Sequence, residues 1–321
     1  MRYSIVIPVY NCQEYIKTAV ESAASKAKNI EVILIDDGST DQSANVCDTI
    51  ASSYDNVYAY HTQNLGAGNA RNVGIKNATG DFIIFLDSDD FLSEGFFNNI
   101  SELKEQGDCD VIFFNTIKLF HNGYKKAMNE GFDEDTIIKR TKQEFLEDVT
   151  KFNKFPASCG GKIIKREFLI RNNIFFPTDK LGEDVDFTLN LLIKGNKFGF
   201  YKKGQYIYRQ FKNSRSGKGN PKTIEDMIYT IEKWVHISEN SPYRLYIMSF
   251  LAYEYAMIYP FLGALKREER QMFLKKLKEL KYLLKYGKTK KLKAIKICSD
   301  ILGTENTAKL LTLYIGIRDV K

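Results

Sequence analysis

Short apolar runs divide the chain up to Phe120: Ser4–Pro8, Glu31–Ile35, Val57–His61, Asp81–Leu86 and a run that begins at Val111–Phe114. Too short for helices and bounded by Gly, Asn, Asp and Ser, they predict buried strands. Between them lie stretches of helical periodicity, one from about Glu14 and another holding Arg71 to Ala78. Alternating strand and helix predicts a parallel sheet with crossover helices. In the turn Asp36-Asp37-Gly38-Ser39-Thr40-Asp41, Gly38 suits a positive φ, and Ser39 or Thr40 is expected to cap the following helix.

The later pattern differs. Leu245–Leu265 is rich in Tyr, Phe, Leu and Ile, but carries Glu254 near its middle and Pro260 towards its end. It reads as a buried or interfacial helix, not a membrane span. Leu274, Leu277, Leu280, Leu283 and Leu284 then recur at helical spacing inside Lys266–Lys296, a stretch with 13 Lys/Arg against 3 Glu, while the whole chain nets only +7. Such a basic amphipathic stretch binds a membrane surface peripherally or packs its Leu stripe on the protein body. No nucleic-acid motif accompanies it, and no nucleic-acid partner is expected.

With 44% hydrophobic and 27% charged residues in 321, the composition suits one large domain plus an appendage, or two domains. The cysteines (Cys12, Cys47, Cys109, Cys159, Cys298) are scattered, so neither a disulfide framework nor a zinc ribbon is indicated. The N-terminus shows no secretory pattern, which predicts a cytoplasmic location, peripheral to the inner face of the membrane if the basic stretch binds there.

FLDSDD, residues 85–90, places Asp87, Asp89 and Asp90 directly after a strand. Carboxylates this close repel one another unless a cation or a ring of donors compensates; a solvated turn is the alternative. In an open parallel sheet, ligands bind beyond the carboxyl ends of the strands. Three such ends carry Pro8-Val9-Tyr10-Asn11, Asp36-Asp37-Gly38-Ser39 and Asp87-Ser88-Asp89-Asp90, which should converge on one crevice. Gly66-x-Gly68-x-x-Arg71 lacks the third glycine of a dinucleotide fingerprint, Phe91 and Leu92 exclude a calcium loop, and PVYNCQEYI is no nucleotidyltransferase loop. Aspartates beside a nucleotide diphosphate imply Mg²⁺ or Mn²⁺ between them.

SIVIPVYN, VILIDDGSTD, NLGAGNARNVGI, GDFIIFLDSDD and the later GEDVDF, in this order, resemble the family 2 glycosyltransferases. The resemblance covers Met1 to Ser216. It implies an α/β GT-A fold, a Rossmann-like nucleotide-binding sheet with flanking helices, in 1–216 (a nucleotide-sugar half, 1–114, and an acceptor half, 115–216), followed by a helical, basic C-terminal region, 217–321. It further implies an inverting, metal-dependent transfer from a nucleotide-diphosphate sugar, chiefly a UDP-sugar, to a glycan or lipid-linked acceptor in surface polysaccharide synthesis. By it, Pro8, Val9 and Tyr10 frame the base, Asp37 accepts the uracil N3–H, and Arg71 lies near base or phosphate. Asp87 and Ser88 serve the nucleotide, and Asp89 takes the metal with Asp90 as rival ligand. Asp184 is the general base, with Glu183 turned to acceptor hydroxyls; without the family, an N-cap would account for Asp184. Lys162, Arg209 and Arg215 fall to the acceptor side or a closing lid. Cys159-Gly160-Gly161 departs from the bulky aromatic and Asn of many relatives. A retained fold that only binds or scaffolds glycans is the competing reading.

Overall fold

The computed structural model describes residues 1–24, 29–98, 100–128, 141–151, 157–178, 183–211 and 220–319. Two compact units divide the chain: Met1–Phe145 with Pro156–Asp179 and Glu183–Phe211, and Leu146–Phe155 with Lys180–Gly182 and Lys212–Lys321.

The first unit is built on one mixed sheet. Its strands are β1 (Tyr3–Val9), β2 (Ile30–Asp36), β3 (Val57–His61), β4 (Phe82–Phe85), β5 (Phe91–Leu92), β6 (Val111–Phe120), β7 (Lys125–Ala127), β8 (Lys162–Lys165) and β9 (Phe198–Gln210). They lie in the order β3-β2-β1-β4-β8-β6-β9-β5, with β7 on β6. The helices are α1 (Ile16–Ala23), α2 (Ser43–Ala51), α3 (Ala67–Asn77), the first turn of α4 (Lys142–Lys151), α5 (Arg166–Arg171) and α6 (Glu183–Lys194). Every residue of β1 and β2 is buried, as continuous apolar runs require when helices cover both faces of parallel strands. The parallel sheet predicted from the alternation covers β1 to β4; β8 pairs antiparallel with β4 and β6, so the whole is mixed.

The predicted cap before α2 is not used. The helix starts at Ser43 after Gln42, because Thr40 and Ser39 are engaged by Asn11 instead. Gly38 does take a left-handed φ of 69°. The glycines of the Gly66-x-Gly68 loop serve backbone and packing in turn: Gly66 takes a left-handed φ of 94°, and a Cβ on Gly68 would come 2.8 Å from the Pro177 carbonyl oxygen.

The second unit holds α7 (Pro221–Ser238), α8 (Arg244–Ala264), α9 (Arg267–Leu280), a 3₁₀ turn at Lys281–Tyr286 and α10 (Lys290–Asp319), which breaks at Gly303. By length and composition α8 could cross a membrane, but 67% of its apolar window is buried, as Glu254 and Pro260 led us to expect. Its buried tyrosines are hydrogen-bonded: Tyr255 Oη donates to the Leu277 carbonyl at 2.7 Å, and Tyr259 Oη lies 2.9 Å from Ser299 Oγ. All five leucines of the stripe are buried. The stripe expected to face either a membrane or the protein is packed inside the protein, leaving its cations, not an apolar face, at the surface.

Candidate active site

The carboxyl ends of β1, β2 and β4 converge as the strand order requires. Asn11, just past β1, adopts φ 49°, a conformation Asn tolerates better than most residues. From there its Oδ1 accepts the Thr40 and Asp41 N–H groups at 2.8 and 3.3 Å, while its own N–H donates to Ser39 Oγ at 3.1 Å. Cys12 Sγ donates to Ser88 Oγ at 2.9 Å, joining the β1 end to the β4 end. Asn11 carries the joint between the β1 end and the β2 end, and the sequence reading gave it no role. Of the three residues expected to frame a base, Pro8 and Val9 are buried and only the ring of Tyr10 is exposed.

Asp37, 3% exposed, is already rich in donors. Its Oδ1 accepts from Thr62 Oγ1 (2.9 Å) and the Leu65 N–H (3.1 Å), and its Oδ2 from the Gly66 N–H (2.7 Å). Oδ2 keeps a second lone pair for a ring donor. Beside it, Asp36 Oδ2 and Asp48 Oδ1 clasp His61 at 3.1 and 3.0 Å; these bonds, Asp36 first, raise the imidazole pKa. An Asp37→Asn variant turns a donor towards the Gly66 or Leu65 N–H. Chemical denaturation should show it less stable by about 1–3 kcal/mol, and calorimetry a weaker UDP affinity. Wild-type values in both would remove Asp37 from the nucleotide site.

Arg71 is the centre of the site. On α3 and 6% exposed, it sends Nη2 to Asp87 Oδ1 at 2.8 Å and Nη1 to Glu183 Oε1 and Asp184 Oδ1, each at 3.5 Å; its guanidinium lies 5.3 Å from the centroid of the Phe176 ring. Burial opposes the charge, but Cys159, Asp184 and Asp87 around it hold the pKa well above the usual arginine value. Arg71, expected near base or phosphate, is committed to three carboxylates. Phe176 is in turn stacked on Phe187 at 3.9 Å, which fixes the platform beneath the guanidinium. No periodicity or motif marks Phe176.

Glu183 and Asp184 form the first turn of α6. Asp184 Oδ2 accepts the Cys159 N–H at 3.3 Å, so both of its oxygens are held. Burial, then the neighbouring Asp184, raises the Glu183 pKa, against the lowering influence of Arg71. Lys162, expected at the acceptor side, is 1% exposed and directs its ammonium to the carbonyls of Ser158 and Gly160. It anchors the Cys159 loop. Arg209 lies in β9 with its guanidinium 4.8 and 5.3 Å from the ring centroids of Phe91 and Tyr15, so it belongs to the sheet and not to a flexible lid. Arg215 lies outside the described residues.

In the Asp87–Asp90 turn, the Asp87 N–H donates to Tyr206 Oη at 3.1 Å. Asp90 is 1% exposed; its Oδ1 accepts the Arg209 N–H at 2.8 Å, and burial, then Asp87 and Asp89, raises its pKa to about 8. Only Oδ1 of Asp90 is tied to β9, and Oδ2 is buried without a hydrogen-bond partner; Asp89 is the more accessible of the two. That carboxylate is half-buried, its pKa raised by burial and by Asp87 and lowered by Arg209. A cation at Asp89 would relieve the repulsion. Among the described residues no three His, Cys, Asp or Glu side chains form a ready cage. Mg²⁺ or Mn²⁺ held by one carboxylate and completed by substrate phosphates fits this donor set.

Glycosyl transferase family 2 matches residues 4–172, and the chain belongs to this family. It has the GT-A fold that the resemblance implied. It is 30% identical over 226 residues to the Minor teichoic acid biosynthesis protein GgaA of Bacillus subtilis, covering 67% of this chain and 48% of that protein. To the Poly(ribitol-phosphate) beta-N-acetylglucosaminyltransferase TarS of Staphylococcus aureus it is 28% identical over 215 residues, 65% of this chain and 35% of that protein. The chain thus spans half or less of the length of these two relatives. The structure of S. aureus TarS 1-349 in complex with UDP-GlcNAc superposes with a TM-score of 0.69 at 20% identity, over 96% of this chain and 90% of that one. A mannosyltransferase of Pyrobaculum calidifontis in complex with GDP-Man and Mn²⁺ gives 0.51 at 15% identity, over 98% and 87%.

Proposed function

We propose that this protein transfers a hexosyl or N-acetylhexosaminyl group, with inversion, from a UDP-sugar to a phosphate-bearing glycan or polyol polymer of the bacterial envelope, working on the cytoplasmic side. The observation that carries the reading is the arrangement around Arg71. One guanidinium holds Asp184, at the rigid start of a helix, and Asp87, at the end of a central strand, in a single crevice. The two are the acceptor side and the donor side of a displacement. The UDP-GlcNAc complex of TarS supports the donor class, and the names of TarS and GgaA support the acceptor class.

Chemically, an acceptor hydroxyl is a poor nucleophile at neutral pH. Asp184 takes its proton as the new glycosidic bond forms, and a single in-line displacement needs no second nucleophilic carboxylate. Arg71 and the Cys159 N–H hold both Asp184 oxygens in place before substrate arrives. Asp37 and the Tyr10 ring receive the base. Asp89 would hold a divalent ion, which neutralises charge on the diphosphate as UDP leaves. The Mn²⁺ in the mannosyltransferase complex supports the use of a divalent ion.

Calorimetry tests it. UDP should bind in the presence of Mn²⁺ and weaken at least about tenfold under chelation, the share expected of an ion that bridges carboxylate and diphosphate. Asp89→Ala should lose the Mn²⁺ dependence without losing the fold. If Asp89→Ala keeps it and Asp90→Ala does not, the ion belongs to Asp90.

A further inference from the structure

We propose that the face of the sheet where β7, β6 and β9 run side by side is the binding track for the acceptor, and that this acceptor is a polyanion recognised through its phosphodiester groups. The inference rests on the glycosyltransferase reading above and adds the place and the chemistry of acceptor recognition.

The register builds the track. Lys126 of β7 stands opposite Lys118 of β6, and Lys118 opposite Tyr208 of β9, so the three side chains form one row on one face. Lys118 Nζ lies 5.8 Å from the centroid of the Tyr208 ring, which confirms the shared side. Two residues back along β9 on that same face is Tyr206, opposite Thr116. Tyr206 Oη accepts the Asp87 N–H, and its ring underlies Gly160, where a Cβ would come 2.8 Å from it. The row is therefore continuous with the floor of the site, one side-chain repeat away, about 6.6 Å along the strand.

Charge explains why such a row is needed there. The crevice gathers Asp87, Glu183 and Asp184 around a single buried guanidinium, with Asp89 beside Asp87, so a phosphate-bearing acceptor would be repelled from its own general base. Screening at physiological salt acts over about 8 Å. Cations that compensate must stand close to the crevice, and the row begins one side-chain repeat from Tyr206, whose hydroxyl accepts the Asp87 N–H. Among the described residues neither Lys118 nor Lys126, nor the adjacent Lys125, has a carboxylate partner, so their charge is available to a ligand. A neutral glycan would require none of this.

The experiment is binding of a synthetic poly(ribitol phosphate) oligomer to the full chain in the presence of UDP and Mn²⁺, at low and high salt, with a neutral oligosaccharide alongside. The wild type should bind the phosphate oligomer, more weakly as salt rises. Lys118→Ala combined with Lys126→Ala should weaken that binding about three- to tenfold, as two exposed charge pairs would, and leave UDP affinity unchanged. Equal binding by the double variant, or preference of the wild type for the neutral oligosaccharide, overturns the inference while UDP binding stands. Loss of UDP binding by the wild type itself would instead remove the donor reading on which it rests.

Discussion

Replacing Asp184 by Asn is expected to lower kcat by about 10²- to 10⁴-fold while donor affinity stays near wild type. The amide keeps the volume, and its oxygen can still accept from Arg71 or from the Cys159 N–H. What it loses is the capacity to take the hydroxyl proton. The loss therefore belongs to the chemical step and should be visible as a change in kcat against an unchanged Kd for UDP. Glu183 is the internal control. It shares the same guanidinium, and burial and Asp184 raise its pKa, which suits it to a hydrogen bond with an acceptor hydroxyl. Glu183→Gln should raise KM for acceptor more than it lowers kcat. If Glu183→Gln is the variant that loses turnover and Asp184→Asn is not, the base is Glu183.

Arg71→Met should have the largest effect on stability, about 3–5 kcal/mol in chemical denaturation, because it leaves carboxylates together in a buried crevice without their counter-charge. The sign of its pH dependence follows. Glu183 is already raised by burial and by Asp184, and without Arg71 it loses the guanidinium that lowers it and rises further. The penalty is therefore full at neutral pH and shrinks as the pH falls through that raised value. The recovery in mild acid should exceed that of the wild type, in which Asp89, Asp90 and Glu183 are already raised by burial and neighbouring carboxylates. Arg71→Lys should restore only part of the stability, since an ammonium is a point charge and cannot span Asp87 and Asp184 as the planar guanidinium does. A variant as stable as wild type at neutral pH would show that the three carboxylates are held apart by something other than Arg71.

The legible part of this site is the part written in strands. Apolar runs ending in Asp36-Asp37 and Asp87-Ser88-Asp89-Asp90 announce both the sheet and the crevice beyond it, since burial on both faces leaves polar residues only at the strand ends. The role of Arg71 was not legible. It depends on α3, the end of β4 and the start of α6 meeting, and residues 71 and 184 are brought together only by the tertiary fold. Lys162 misled for a similar reason: a lysine beside a glycine-rich loop reads as an accessible cation, whereas here the loop folds back and places its carbonyls on the ammonium. Arg209 looked like part of a mobile basic run because Lys212 to Ser216 follow it, yet β9 continues through Gln210 and seats its guanidinium on Phe91 and Tyr15. In the basic stretch, the leucine spacing specified an amphipathic element but not its partner. Helical packing supplied one, and the stripe is buried.

The central claim is catalytic transfer from a UDP-sugar, and release of UDP from a panel of nucleotide sugars tests it most directly. With Mn²⁺ present, one or a few UDP-sugars should yield UDP, faster when a polyol-phosphate polymer is added, and both chelation and Asp184→Asn should suppress the release. Tight UDP binding with no release from any nucleotide sugar, with or without acceptor, would contradict the account and leave a glycan-binding protein that retains the fold.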